Sequence, residues 1–289
     1  MPELVIEPRI HDLGGGFEVG RVLPFRKRRM IGPFIFFDRM GPHELPRPVP
    51  RELDVRPHPH IGLSTVTYLF DGQITHRDNL GIEQVIFPGD LNWMTAGKGI
   101  AHSERFDGMR DRGGSVDGIQ AWVALPESHE EDNPAFNHYS ASDLPLFSDS
   151  GVSGRLIAGR AFGLESPATI HSPLFYADIA LQAGASIALP TDYPERAVYV
   201  AAGSVEVESV AYPAGQMIVF EAGPAPAVKA LEASRLMMLG GEPLGQRHIW
   251  WNFVSSRKER IEQAKADWEA GRILLPQLDD QEFIPLPSL

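Results

Sequence analysis

Leu63-Ser64-Thr65-Val66-Thr67-Tyr68-Leu69-Phe70 is a run of β-branched and aromatic side chains; Asp71-Gly72 ends it, and Gln73-Ile74-Thr75-His76-Arg77-Asp78 resumes the pattern. Two β-type runs around Asp-Gly predict a hairpin. Working outward, Asn79-Leu80-Gly81 marks the next turn, Val85-Ile86-Phe87 a short strand and Pro88-Gly89-Asp90 a break. Trp93-Met94 then leads into the flexible corner Gly97-Lys98-Gly99 before Ile100-Ala101-His102. Strands this short at this spacing predict a sandwich or small barrel. With 28 glycines and 25 prolines in 289 residues, the chain is punctuated for turns rather than long helices.

The second half repeats the pattern. Tyr199-Val200-Ala201-Ala202-Gly203-Ser204-Val205 can be laid on Tyr68-Leu69-Phe70-Asp71-Gly72-Gln73-Ile74, and Pro213-Ala214-Gly215-Gln216-Met217 resembles Pro88-Gly89-Asp90-Leu91. Such a repeat implies two copies of one β-domain. The polar, turn-rich stretch Pro126-Glu127-Ser128-His129-Glu130-Glu131-Asp132-Asn133-Pro134 suits a linker, so the expected domains are 1–130 and 131–289. One helix is expected near the end of the chain. Ser256-Arg257-Lys258-Glu259 fits a capping box, Ile261, Ala264 and Trp268 follow at helical spacing, and Gly271 marks the exit.

Composition removes several functions. Lys and Arg number 26 against 38 Asp and Glu, a net charge of −12, and such a surface repels nucleic-acid phosphates. Cysteine is absent, so disulfides, thiolate metal sites and cysteine nucleophiles are excluded. Any metal must be held by His, Asp or Glu. No run approaches the ~18 apolar residues of a membrane helix. The first residues, Met1-Pro2-Glu3-Leu4, show neither the basic segment nor the apolar core of a secretory signal. A soluble, cytoplasmic, mostly β protein is expected.

Two of the histidine-bearing motifs carry paired donors: His58-Pro59-His60 and His102-Ser103-Glu104. In an extended strand residues i and i+2 project to one face. If the two strands are neighbours, four donors converge. Three imidazoles and a carboxylate suit Fe(II), Mn(II), Co(II), Ni(II), Cu(II) or Zn(II) rather than the all-oxygen sites of Ca or Mg. Four protein ligands leave two positions of a six-coordinate metal open, as an oxygen-activating or Lewis-acid site requires. An H-x-H alone more often marks an ordinary surface or core histidine; the second pair and the glycine-rich turn before it favour the metal. His76, paired with Thr67 across a two-residue turn, falls on the opposite face and reads as structural or as a supporting neighbour of the site. His11, His43, His129, His138, His171 and His248 lack a donor at i+2 and read as surface or hydrogen-bonded residues.

These residues carry a resemblance. His58-Pro59-His60, Thr65-Val66-Thr67-Tyr68-Leu69, Gly72, His76-Arg77-Asp78, Pro88-Gly89-Asp90, the long motif from Trp93 to Ile100 and His102-Ser103-Glu104 resemble the pirin family of bicupins. Gly32-Pro33-Phe34-Ile35-Phe36-Phe37-Asp38, Gln120-Ala121-Trp122-Val123-Ala124-Leu125-Pro126 and Gly240-Gly241-Glu242-Pro243-Leu244-Gly245 extend the likeness over nearly the whole chain. It implies an all-β fold of two cupin barrels with one iron in the first, its ligands by motif position His58, His60, His102 and Glu104. Leu189 and Thr191 stand where a second copy would need His58 and His60, so the second barrel is expected to be metal-free. One departure is that Ser64 and Thr65 stand where pirins usually keep an acid after the second histidine. Ser64, at i+4 from His60, is expected to face the metal.

The resemblance implies an enzyme of the quercetin 2,3-dioxygenase type, which opens a flavonol ring with O2 and releases carbon monoxide. Glu104 is then both ligand and catalytic base, with Phe36, Trp93 and Met94 as candidate walls of a substrate slot. The alternative is a non-enzymatic, iron-dependent regulator whose metal redox state alters a protein-binding surface.

Overall fold

The computed structural model describes residues 2–220, 222–224 and 226–288. The described residues are mostly strands, with one α-helix, Lys258–Glu269. Contacts divide the chain into two compact units. One comprises Met1–Arg9, Gly20–Phe37 and Ser142–Pro243; the other comprises Ile10–Val19, Asp38–Ala141 and Leu244–Leu289. This is not the expected division at residue 130. The first strands group with the later repeat, and the segment from Leu244 onward groups with the histidine-bearing unit. The helix shows why. Ile261, Ala264 and Trp268 bury against Ile61, Ala101, Phe253 and Ile273, an apolar cluster of that unit.

In the histidine-bearing unit a four-stranded antiparallel sheet has the order Val55–His60, Ile100–Arg105, Ile74–Asp78, Glu83–Ile86. A larger sheet contains Ala135–Tyr139, Leu91–Thr95, Leu63–Asp71, Gly114–Ala124 and Phe34–Leu45 as neighbours. In the other unit the four-stranded sheet runs Ser186–Ala188, Ala227–Ala230, Ser204–Val207, Val210–Pro213, and the larger one contains Met217–Phe220, Glu195–Ala202, Ser234–Gly241 and Leu174–Leu181. Counting eight strands in chain order, both units have the small sheet 2-7-4-5 and the large-sheet run 6-3-8-1. Glu195–Ala202 takes the place of Leu63–Asp71, as the repeat predicts. Among the described residues, neither unit's strands close into one continuous hydrogen-bonded ring.

Two local expectations are corrected. Leu63–Asp71 and Ile74–Asp78 are not hairpin partners: the first pairs with Leu91–Thr95 and Gly114–Ala124, the second with Glu83–Ile86 and Ile100–Arg105. Asp71-Gly72 is therefore a corner between two sheets. Gly72 has φ +83°, and a Cβ there would meet the Ser115 carbonyl oxygen at 2.5 Å. The capping box does not form either. The N–H and hydroxyl of Ser256 both go to the buried Glu130 carboxylate, at 2.8 and 3.1 Å. The helix begins at Lys258 after Arg257, without a side-chain cap.

The chain makes a similar corner between His60 and Leu63. Gly62 has φ +66°, and a Cβ there would lie 2.0 Å from the Val254 carbonyl oxygen. Left-handed backbone costs other residues about 1–2 kcal/mol, before the clash is relieved. Gly62→Ala should lower stability by more than that amount, measured by urea unfolding, whereas Gly163→Ala, with open space around it, should cost only the backbone contribution.

Candidate metal centre

The histidine pairs lie on adjacent strands. His102 stands directly opposite His58 in the pairing of Ile100–Arg105 with Val55–His60, and the register shifts between His102 and Glu104. The shift leaves Arg56 and Pro57 facing the single residue Ser103, a β-bulge of the kind that re-aims side chains. His58, His60 and His102 are buried, and their ligating nitrogens lie within 4.8 Å of one another.

The hydrogen bonds around them assign the tautomers. His58 Nδ1–H donates to the Arg56 carbonyl at 2.9 Å, which leaves Nε2 with its lone pair. Asp78 accepts from the backbone N–H of Leu80 and Ile82 through Oδ1 and from His76 Nε2–H through Oδ2 at 3.0 Å. In the neutral form of His76 its Nδ1 accepts from His102 Nδ1–H, 3.2 Å away, which leaves His102 Nε2 unprotonated. His60 and His102 bring their Nε2 atoms to 3.1 Å. Two nitrogens bound ~2.0–2.1 Å from one metal at 90–109° stand about 2.8–3.4 Å apart. The donor set fits a divalent transition metal.

Burial also sets the charge states. Desolvation, with the neighbouring imidazoles adding to it, lowers His58 from the ordinary 6.5 to about 4 and holds His60 and His102 well below the usual value. The three imidazoles are neutral at neutral pH. Glu104 stands on the same face of its strand, opposite His76, and desolvation pushes its carboxyl up to about 7. Its Oε1 lies 3.5 Å from Thr67 Oγ1, and it is not in the tight cluster of imidazole donors.

The wall opposite the imidazoles is built by register. Phe136, Met94, Thr65 and Trp122 stand in one cross-strand row; His138, Asn92, Thr67 and Gln120 form the next. The first row is largely apolar. Phe136 stacks on His76 with ring centroids 4.4 Å apart, and Trp122 sets its ring edge-to-face with His60 at 5.2 Å. The second row is hydrogen-bonded: His138 Nδ1–H donates to Asn92 Oδ1 at 2.7 Å and Thr67 Oγ1–H to Gln120 Oε1 at 2.8 Å.

This register corrects several expected positions. Met94 faces the site with Thr65, but Trp93, the next residue of a regular strand, points to the opposite face beside Val66. Ser64 also faces away, with its hydroxyl 3.1 Å from that of Thr95. The i+4 argument from His60 fails because Gly62 turns the chain into another sheet. Phe36 lies on Phe34–Leu45, in the part of that strand whose contacts group with the other unit, under the Arg21 guanidinium. His76 is on the site's face, not the opposite one, because its strand does not pair with Leu63–Asp71. Nothing local in the sequence marks Thr67, Gln120, Trp122 and Phe136 as site residues; period-2 alternation sets each on one side of its strand, but only the pairing says which.

Duplicated two-sheet domains, one of them carrying three inward-turned imidazoles, define a bicupin with a metal-type histidine centre. Residues 16–123 match the family model described as Pirin and residues 176–274 that of the Pirin C-terminal cupin domain. A pirin-like protein of Caulobacter vibrioides is 58% identical over the full length of both chains. Pirin-like protein 2 of Arabidopsis thaliana is 30% identical, covering 91% of this chain and 82% of its own. Among solved structures, quercetin 2,3-dioxygenase from Acinetobacter baumannii superposes with a TM-score of 0.90 at 30% identity, covering 99% of this chain and 95% of its own. The chain belongs to the pirin family. Among the described residues, no helix is long and apolar enough to cross a membrane.

The lowered imidazole pKa values predict the pH response of metal-free protein. Each histidine binds a proton more readily unfolded, near 6.5, than folded, so its contribution is intact above about pH 6.5 and lost as the pH falls towards 4. Glu104 has the opposite sign, costing stability as pH rises from 4.5 to about 7. Three groups outweigh one. Urea unfolding in chelator should show lower stability at about pH 5 than at about pH 7, and His58→Gln should narrow the difference.

Proposed function

We propose that the chain is a mononuclear metal-dependent dioxygenase of the quercetin 2,3-dioxygenase type. One divalent metal per chain, iron first among the candidates, is held by His58, His60, His102 and Glu104. The carrying observation is three buried, neutral imidazoles whose ring nitrogens lie within 4.8 Å of one another, beside a cross-strand row ending in Phe136 and Trp122. The likeness to the Acinetobacter baumannii quercetin 2,3-dioxygenase supports the substrate class.

When bound, the metal supplies Lewis acidity towards the substrate hydroxyl and an open position for O2 chemistry. Glu104 takes the hydroxyl proton on the carboxylate oxygen that the metal does not hold. Met94, Phe136 and Trp122 form an apolar wall against which a planar aromatic substrate stacks, while Thr67 and Gln120 offer polar atoms beside Glu104. In the overall reaction both atoms of O2 enter the ring-opened ester, and the excised ring carbon leaves as carbon monoxide.

His102→Ala should lose the metal by elemental analysis, whereas His248→Ala should keep it; equal content in both would exclude this ligand set. Anaerobic reconstitution with Fe(II), then in parallel with Mn(II), Co(II), Ni(II), Cu(II) and Zn(II), should give quercetin loss and carbon monoxide release once oxygen is admitted. Glu104→Gln should lower kcat/KM by about 100-fold or more, the usual scale for a general base. Tight iron binding with no carbon monoxide from any metal form would favour a redox-sensing regulator with a protein partner.

A further inference from the structure

On Ile100–Arg105 the side chains of His102 and Glu104 face inward, so Ser103 and Arg105 face outward. Both outward groups bind one carboxylate from far along the chain. Ser103 Oγ–H donates to Asp279 Oδ2 at 2.6 Å, and Arg105 holds Asp279 in a bidentate pair at 2.7 and 2.8 Å. Arg105 reaches Glu282 as well, at 3.0 Å. A few residues on, Ile284 N–H donates to the Pro57 carbonyl at 2.8 Å. Pro57 lies in the bulge beside His58, on the strand at the edge of the four-stranded sheet.

The bulge has a hydrogen-bonding consequence. In the irregular stretch of this edge strand two carbonyls serve donors outside the ladder: Arg56 O takes His58 Nδ1–H, and Pro57 O takes Ile284 N–H. A buried carbonyl without a partner costs about 1–3 kcal/mol, so the segment after the helix sustains the irregularity beside His58. The segment is itself anchored: Trp268 Nε1–H donates to Ile284 O at 3.0 Å, and Phe283 meets the Trp268 ring edge-on at 5.6 Å.

We propose that Asp279 is a positioning residue for the metal centre, clamping the outer face of the ligand strands through Ser103 and Arg105 while Ile284 secures the bulge beside His58. The inference rests on the metal reading above. It assigns the segment after Gly271 a role in holding the metal, although none of its side chains is among the proposed ligands.

The test uses the full chain loaded with Co(II), whose visible absorption reports the coordination shell, and follows Co(II) release into excess chelator. Asp279→Asn and Ser103→Ala should each speed release about tenfold, the lower end of the effect of removing a group that supports a ligand. The double variant should be no faster than the faster single variant, because the two substitutions remove ends of one interaction. The rise in melting temperature on adding Co(II) should shrink in both. Release within twofold of wild type in the folded variants overturns the clamp alone, as does an equal loss of melting temperature with and without Co(II). If Asp279→Asn does not fold, Ser103→Ala, which removes only a hydroxyl, decides the matter by the same criteria. A wild-type chain that takes up no Co(II) overturns the metal reading and the clamp with it.

Discussion

The centre depends on the antiparallel pairing of Val55–His60 with Ile100–Arg105 and on the register shift within it. The unshifted part of the pairing places His58 directly opposite His102, with His60 on the same face two residues on. The bulge that follows sets Glu104 across from Val55 on one side, with His76 on the other. The rest of the unit supports that geometry. Gly62 turns the chain out of the ligand strand, Asp78 and His76 determine which nitrogen of His102 is free, and the helix with its following segment covers the outer side.

Desolvation turns the arrangement into chemistry. An exposed imidazole cluster at neutral pH is partly protonated and a poor ligand set; buried, its members stay neutral far below their usual range. The same burial acts on Glu104 in the opposite direction, because it penalises charge whatever its sign. One environment thus yields neutral donors and a carboxyl poised near neutrality. The apolar row of Phe136, Met94 and Trp122 adds to that desolvation, with Phe136 stacked on His76 and Trp122 edge-on to His60.

The duplication separates what the fold does from what the site does. Both units have the same strand order, yet the strand in the place of Val55–His60, Ser186–Ala188, carries no histidine, and Leu189 just after it packs in an apolar core. A two-sheet domain of this kind is therefore stable with hydrocarbon filling the place of imidazoles. A buried polar group such as His58 is costly unless compensated, and the second unit forms the same fold without it.

The amino-acid sequence alone determined the β class, the internal repeat, the terminal helix and the two donor pairs, because period-2 alternation, turn residues and H-x-H spacing are local properties of the chain. It also placed Ile261, Ala264 and Trp268 on the buried face of the helix. What it left open was which strand lies beside which. The Asp71-Gly72 turn has the composition of a hairpin, but its flanking strands enter different sheets. That single difference moved His76 onto the site's face. The Gly62 corner turned Ser64 away, and the unbroken pairing of Leu91–Thr95 chose Met94 over Trp93. The capping serine, likewise, was claimed by Glu130, 126 residues earlier. Pairing and burial join residues far apart in sequence, and only the tertiary structure decides them.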